Sequence, residues 1–94
     1  MASIKPIILN LPAPLAQIYG VARIELEAGK IGESLAKVNS KFAGLPDKIF
    51  NELGEPRRHV LIFIGDTEIR ELDGIRTELR GGETIHVVAA ASGG

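Results

Sequence analysis

Few groups in this chain could do chemistry, and most lack the neighbours that chemistry needs. There is no cysteine, so disulfides, thiolate metal sites and thiol catalysis are excluded. The two histidines, His59 and His86, stand far apart in sequence. A metal site would need both plus carboxylates gathered by the fold; we expect none, and no catalytic side chain. Serines, histidines and aspartates occur, but no Gly-x-Ser-x-Gly or comparable nucleophile motif. What remains is the end of the sequence, Glu83-Thr84-Ile85-His86-Val87-Val88-Ala89-Ala90-Ala91-Ser92-Gly93-Gly94. Its first half favours extended backbone, with Ile85 and Val87 on one face. Its second half is a run of small residues closing on a glycine carboxylate. Glycine has no Cβ, so such an arm can enter a narrow cleft and present its carboxylate where a bulkier residue would clash. On composition alone the same run also reads as a frayed terminus or an artificial linker.

The rest of the chain must then carry this arm. Its 94 residues make one domain with a small core. Apolar residues form 45% of the chain, enough for it to fold. The formal net charge is −1 with acids and bases interspersed, which argues against a nucleic-acid partner. No apolar run approaches the ~20 residues that span a bilayer, so no membrane partner is expected. The N-terminal Met1-Ala2-Ser3-Ile4-Lys5 lacks the features of a signal peptide, and the expected location is the cytoplasm.

Alternation marks the strands. Pro6–Leu11 places Ile7, Leu9 and Leu11 on one face and Ile8 on the other, and Val21–Glu27 alternates Ala22, Ile24 and Leu26 with Arg23, Glu25 and Glu27. Together they read as an antiparallel hairpin. Two prolines and a glycine make Pro12–Gly20 a loop holding a bulge or short helical turn, with Leu15, Ile18 and Tyr19 partly buried. Ala28-Gly29-Lys30 turns the chain. Gly32–Ala43 reads as the main helix, with Ile31, Leu35, Val38 and Phe42 on one stripe and Glu33 paired to Lys37 at i,i+4; Gly44 ends it. A short second helix follows over Pro46–Leu53, with Ile49, Phe50 and Leu53 inward. His59–Ile64 is a strong strand, Gly65-Asp66 a two-residue turn, and Thr67–Arg70 pairs back. Leu72–Ile75 is a tight turn that buries one of its ends, and Thr77-Glu78-Leu79 returns to the core before the last strand.

The simplest packing lays the main helix across one face of a mixed sheet. A right-handed crossover then makes the first and last strands parallel neighbours at the centre. The expected class is α+β: a ubiquitin-like β-grasp, with a mixed four- to five-stranded sheet, one main helix on one face and a short second helix. Residues 1–89 form the domain and residues 90–94 the tail. The opposite sheet face is left open. Ile8, Leu61, Phe63, His86 and Val88 point to it, and four large apolar groups on an open face mark a docking surface.

The segments Val60-Leu61-Ile62-Phe63-Ile64-Gly65-Asp66, Ile69-Arg70, Gly74-Ile75-Arg76-Thr77-Glu78-Leu79, Gly81-Gly82-Glu83 and Gly93-Gly94, in that order, resemble the MoaD/ThiS sulfur carriers, small ubiquitin-like β-grasp proteins. The N-terminal half agrees in element order and in the Gly29-Lys30-Ile31-Gly32-Glu33 entry to the helix. The resemblance implies a carrier rather than an enzyme. A partner related to the ubiquitin activators would use ATP to adenylate Gly94, and a sulfur donor would displace AMP to leave a thiocarboxylate. No cofactor is bound by the carrier itself. Gly93 gives clearance, and Ser92, Ala91 and Ala90, running on from Ala89, form the arm that partners clasp. A sulfur-accepting synthase subunit is the second implied partner, for molybdenum cofactor, cysteine or thiamine synthesis. Family members often carry proline or a large apolar residue where this chain has Ala89 and Ala91. That departs from the molybdopterin synthase small subunit. The long Pro12–Gly20 segment and the Arg58-His59-Val60 entry look closer to carriers that feed cysteine synthesis. Two other functions fit the same residues: a protein modifier joined to lysines through Gly94, and an interaction module in which Gly-Gly is incidental. Arg57-Arg58 beside His59 reads as an exposed charged loop.

Overall fold

The computed structural model describes residues 5–89. Its elements run β1 (Ile7–Asn10), α1 (Ala13–Tyr19), β2 (Arg23–Leu26), β3 (Gly29–Lys30), α2 (Ile31–Val38), α3 (Leu45–Ile49), β4 (Val60–Ile64), β5 (Thr67–Glu68), β6 (Glu78–Leu79) and β7 (Thr84–Ala89). Two 3₁₀ turns, Ile69–Glu71 and Gly74–Arg76, lie between β5 and β6. Five strands form one mixed sheet in the order β2-β1-β7-β4-β5. The β1–β2 hairpin is antiparallel, β1 and β7 are parallel, and β7 is antiparallel to β4. The first and last strands thus meet at the centre, as the crossover argument requires.

Period-two alternation decides the two faces. Ile7, Leu9, Ile24, Leu26, Val60, Ile62, Ile85 and Val87 point to one side and are buried. Helix α2 closes that side with Ile31, Leu35 and Val38, and α3 adds Leu45 and Ile49. Ser34 is the one buried polar side chain among the described residues, and its hydroxyl donates to the Glu27 carbonyl at 2.7 Å. The β4–β5 hairpin turns at Gly65 with φ 59°. No residue but glycine has positive φ there, as a Gly-X turn demands.

Several local expectations are corrected. Pro12–Gly20 is a two-turn helix rather than a loop: Pro14 sits in its first turn and Gly20 caps it at φ 74°. Leu15 and Tyr19 pack against the core, but Ile18 is exposed. Helix α2 stops at Val38, well before Gly44. Asn39 folds back so that its side-chain oxygen accepts the Gly44 N–H at 2.9 Å, and Ser40 donates to the Lys37 carbonyl. These short polar side chains compete with helical bonding. Lys37 pairs with Glu27 at 3.2 Å instead of with Glu33. Helix α3 ends at Ile49, and Leu53 is 80% exposed rather than inward. The turn at Gly29-Lys30 is itself a short strand paired with β6. Beyond β5 the chain leaves the sheet as a 3₁₀ turn, in which Ile69 is buried. Of the Leu72–Ile75 turn, Ile75 is the end that packs on the core.

Candidate functional site

The site begins with the turn that aims β7. Gly81 (φ 138°) and Gly82 (φ 85°) take backbone conformations that other residues rarely adopt. The Gly82 N–H donates to the Lys5 and Pro6 carbonyls, fastening the turn to the start of β1. The Glu83 carboxylate accepts the N–H groups of Arg80 at 2.9 Å and Gly81 at 2.7 Å. Burial alone would raise the Glu83 pKa. These backbone bonds, with the Arg80 charge, outweigh it and hold the carboxyl below its ordinary value.

From this anchor β7 runs through the centre of the sheet. Its register with β4 pairs Ile64 with Ile85, Phe63 with His86, Ile62 with Val87, Leu61 with Val88 and Val60 with Ala89. Ile85 and Val87 are 0% and 4% exposed, while Ala89 is exposed at the rim. The strand that leads to the Gly-Gly end is thus flanked by β1 as far as His86 and by β4 as far as Ala89. The arm residues Ala90, Ala91, Ser92, Gly93 and Gly94 lie outside the described residues.

The five residues expected on the open face share it. Phe63 lies beside His86 and Leu61 beside Val88, and Ile8 is reached across β7 through Thr84. Ile8, Leu61, Phe63 and His86 are half-buried, and Val88 is 40% exposed. Two polar members were missed, Asn10 and Thr84. The period-two rule contains them, since Asn10 follows Ile8 and Thr84 precedes His86 by two residues. Asn10 Nδ2 lies 3.3 Å from His86 Nδ1, within hydrogen-bond reach. That contact fixes the imidazole within an otherwise apolar strip.

The strip is bordered by charge. Arg23 and Glu25 on β2 stand beyond Asn10 and Ile8. On the far side Glu68 lies beside Phe63 and binds the Arg70 backbone N–H at 2.7 Å and guanidinium at 2.9 Å. Burial would raise the Glu68 pKa, but the hydrogen bonds and charge of Arg70 prevail and lower it. The strip thus has a largely apolar centre and a charged rim. Among the described residues no group of three or more His, Asp or Glu could hold a metal ion. No helix there is long and apolar enough to cross a membrane. His59 and Arg58 are exposed and remote in sequence from His86.

The same arrangement of strands and helices occurs in solved structures. The small archaeal modifier protein 1 of Methanosarcina acetivorans superposes with a TM-score of 0.77 at 24% identity, covering 99% of this chain and 100% of that one. The BexX/CysO complex of Amycolatopsis orientalis contains a chain that matches with a TM-score of 0.82 at 22% identity, covering 94% and 99%. The chain has the ubiquitin-like β-grasp fold. No family model matches it. In sequence it is 27% identical over 86 residues to an Archaeoglobus fulgidus protein described as "Putative sulfur carrier protein", covering 92% of this chain and 96% of that one. This β-grasp chain thus resembles the MoaD/ThiS-type sulfur carriers in both fold and sequence, as its C-terminal motifs imply.

Proposed function

We propose that this chain is a sulfur carrier that works through Gly94. An adenylating partner of the ubiquitin-activator type transfers AMP from ATP to the Gly94 carboxylate and releases pyrophosphate. A sulfur donor then attacks the acyl carbon, AMP leaves, and a thiocarboxylate remains. The free carboxylate is a poor electrophile, and the mixed anhydride gives it a good leaving group. The thiocarboxylate is a soft nucleophile that passes sulfur to an acceptor without releasing sulfide. Gly93 clears the partner's cleft, and Ala90, Ala91 and Ser92 are clasped along their backbone. The strip of Ile8, Leu61, Phe63, His86 and Val88 docks the partner and orients the arm. The observation that carries this reading is the junction of two features. The central strand β7 runs to Ala89 and continues in sequence into Gly93-Gly94, beside an apolar face that the fold leaves uncovered.

Intact mass tests it. After incubation with ATP, a sulfide source and an extract holding the activating enzyme, the chain gains the mass of one sulfur in place of one oxygen. Deleting Gly93-Gly94 abolishes the gain. An unchanged mass, with the chain instead joined to larger proteins on a blot, identifies a protein modifier. The similarity in fold to a small archaeal modifier protein makes that the second reading. Neither outcome with an active extract rejects both.

A further inference from the structure

Among the described residues β2 is an edge strand of the five-stranded sheet, with β1 on one side and no strand on the other. Its hydrogen-bonding phase follows from its pairing with β1. Partner residues sum to a fixed register, Ile7 with Leu26, Ile8 with Glu25, Leu9 with Ile24 and Asn10 with Arg23. The Leu11 N–H donates to the Ala22 carbonyl at 2.8 Å, so Ala22, Ile24 and Leu26 turn their backbone groups toward β1. The N–H and C=O of Arg23 and Glu25 therefore point away from the sheet. The next outward carbonyl, that of Glu27, is taken by the Ser34 hydroxyl at 2.7 Å. The usable edge is thus the short run Arg23-Ile24-Glu25. Beside it lies a cleft of about 400 Å³ between β2 and the end of α2, lined in part by Lys37, Lys41 and Phe42. That space leaves the edge open to a neighbour.

We propose that this edge pairs with the same edge of a second copy, β2 antiparallel to β2, to form a two-fold dimer. Two-fold edge pairing of outward-facing residues allows three nearby registers. In one, Arg23 meets Arg23 of the other copy. In another, Glu25 meets Glu25, and the pairing runs on to Glu27, whose carbonyl is occupied. In the third, each Arg23 lies opposite Glu25 of the other copy, and both pairs exchange N–H···O bonds. Only this last register satisfies the backbone and sets opposite charges side by side on the same face. An edge with charges of one sign repels a copy of itself; Arg and Glu spaced two apart do the reverse under two-fold symmetry. The symmetry axis stands perpendicular to the sheet, so both open faces end on one side of a continuous sheet and both α2 helices on the other. The strip around Phe63 and His86 stays uncovered in each copy. The dimer uses only the charged border of the strip at Arg23 and Glu25 and needs no step of the chemistry proposed for Gly94.

Sedimentation across micromolar to millimolar concentration tests the pairing. The full chain is expected to show a reversible monomer–dimer equilibrium that weakens with salt. Arg23→Glu sets like charges opposite and weakens the dimer about tenfold. Glu25→Arg does the same, and the double exchange R23E/E25R restores it. Glu25→Pro removes an outward N–H without touching a bond of the hairpin, and abolishes the dimer while circular dichroism shows the fold intact. Amide chemical shifts of the unmodified chain provide a second readout, with concentration-dependent changes confined to residues 22–27 and the end of α2. A monomer at every concentration overturns the proposal. So does a dimer indifferent to R23E, or one that the double exchange fails to restore.

Discussion

The two faces of the central sheet are built from the same strands and treated oppositely. On the inner face Ile7, Leu9, Ile62 and Ile85 are at most 1% exposed beneath α2 and α3. On the outer face their sequence neighbours Ile8, Leu61, Phe63 and His86 have no helix over them and stay half-buried. The inner face has spent its apolar surface on folding. The outer face still has apolar surface to give to a partner, and removing it from water on association is favourable by roughly 25 cal/mol per Å² before the costs of binding. The comparison teaches that one strand, β7, serves both faces: Ile85 and Val87 hold the fold, and Thr84, His86 and Val88 lie on the open side.

The sharpest way to break this comparison is to truncate one residue of each class. Ile85→Ala empties a site that is 0% exposed and should cost about 2–5 kcal/mol of stability. Denaturant unfolding reads this as a lower midpoint at unchanged slope. Activation of the surviving folded fraction should be nearly normal. Equal loss of activation per folded molecule would mean that the two faces are not separable.

Phe63→Ala makes the reverse test. Phe63 is half-buried beside His86 at the middle of the outer strip. Its truncation should weaken binding to the activating enzyme about tenfold or more, as central aromatic anchors do. Its effect on folding should stay well below that of Ile85→Ala. Val88→Ser, at the 40% exposed rim, should change binding less than Phe63→Ala. A binding loss as large at Val88 would move the centre of the docking surface toward the arm.

How far the sequence allowed this division to be seen depends on the range of the interactions. The strict alternation of Ile24 and Leu26 with Arg23 and Glu25 is local, and so is the Ile62/Phe63 alternation; both faces could be read from it. The parallel β1–β7 pair followed from handedness alone. Expectations failed where a distant partner outcompeted a near one. Lys37 reaches Glu27, just past the end of β2, rather than Glu33 one turn away. Asn39 closes α2 by capturing the Gly44 N–H, which no apolar periodicity reveals. Pro14 and Gly20 were read as loop residues, although a proline in the first turn and a glycine at the C-cap are also how a short helix is bounded. For the site, the open-face strip was legible from strand phase. Asn10 and Thr84 were passed over because polar residues on an apolar strip carry no hydrophobic signal.

The smallest effect sharpens the comparison at its origin, the turn that sets the phase of β7. Because side chains alternate, a one-residue slip would send Ile85 and Val87 outward and His86 and Val88 into the core. Glu83 opposes that slip by holding the Arg80 and Gly81 N–H groups. Its folded pKa lies below the ordinary carboxylate value. The stability it supplies is therefore present above its unfolded pKa and is lost as pH falls through the folded one. Glu83→Gln should cost about 1 kcal/mol at neutral pH and make the acid limb of the stability curve shallower. Glu68 has a lowered pKa of the same sign, so adding Glu68→Gln to Glu83→Gln should make the acid limb shallower still. Unfolding midpoints measured from neutral pH down through the carboxylate range give the result. If Glu83→Gln leaves the slope unchanged, the turn does not depend on the charge. The phase of β7 would then rest on Gly81, Gly82 and the core packing of Ile85 and Val87 alone.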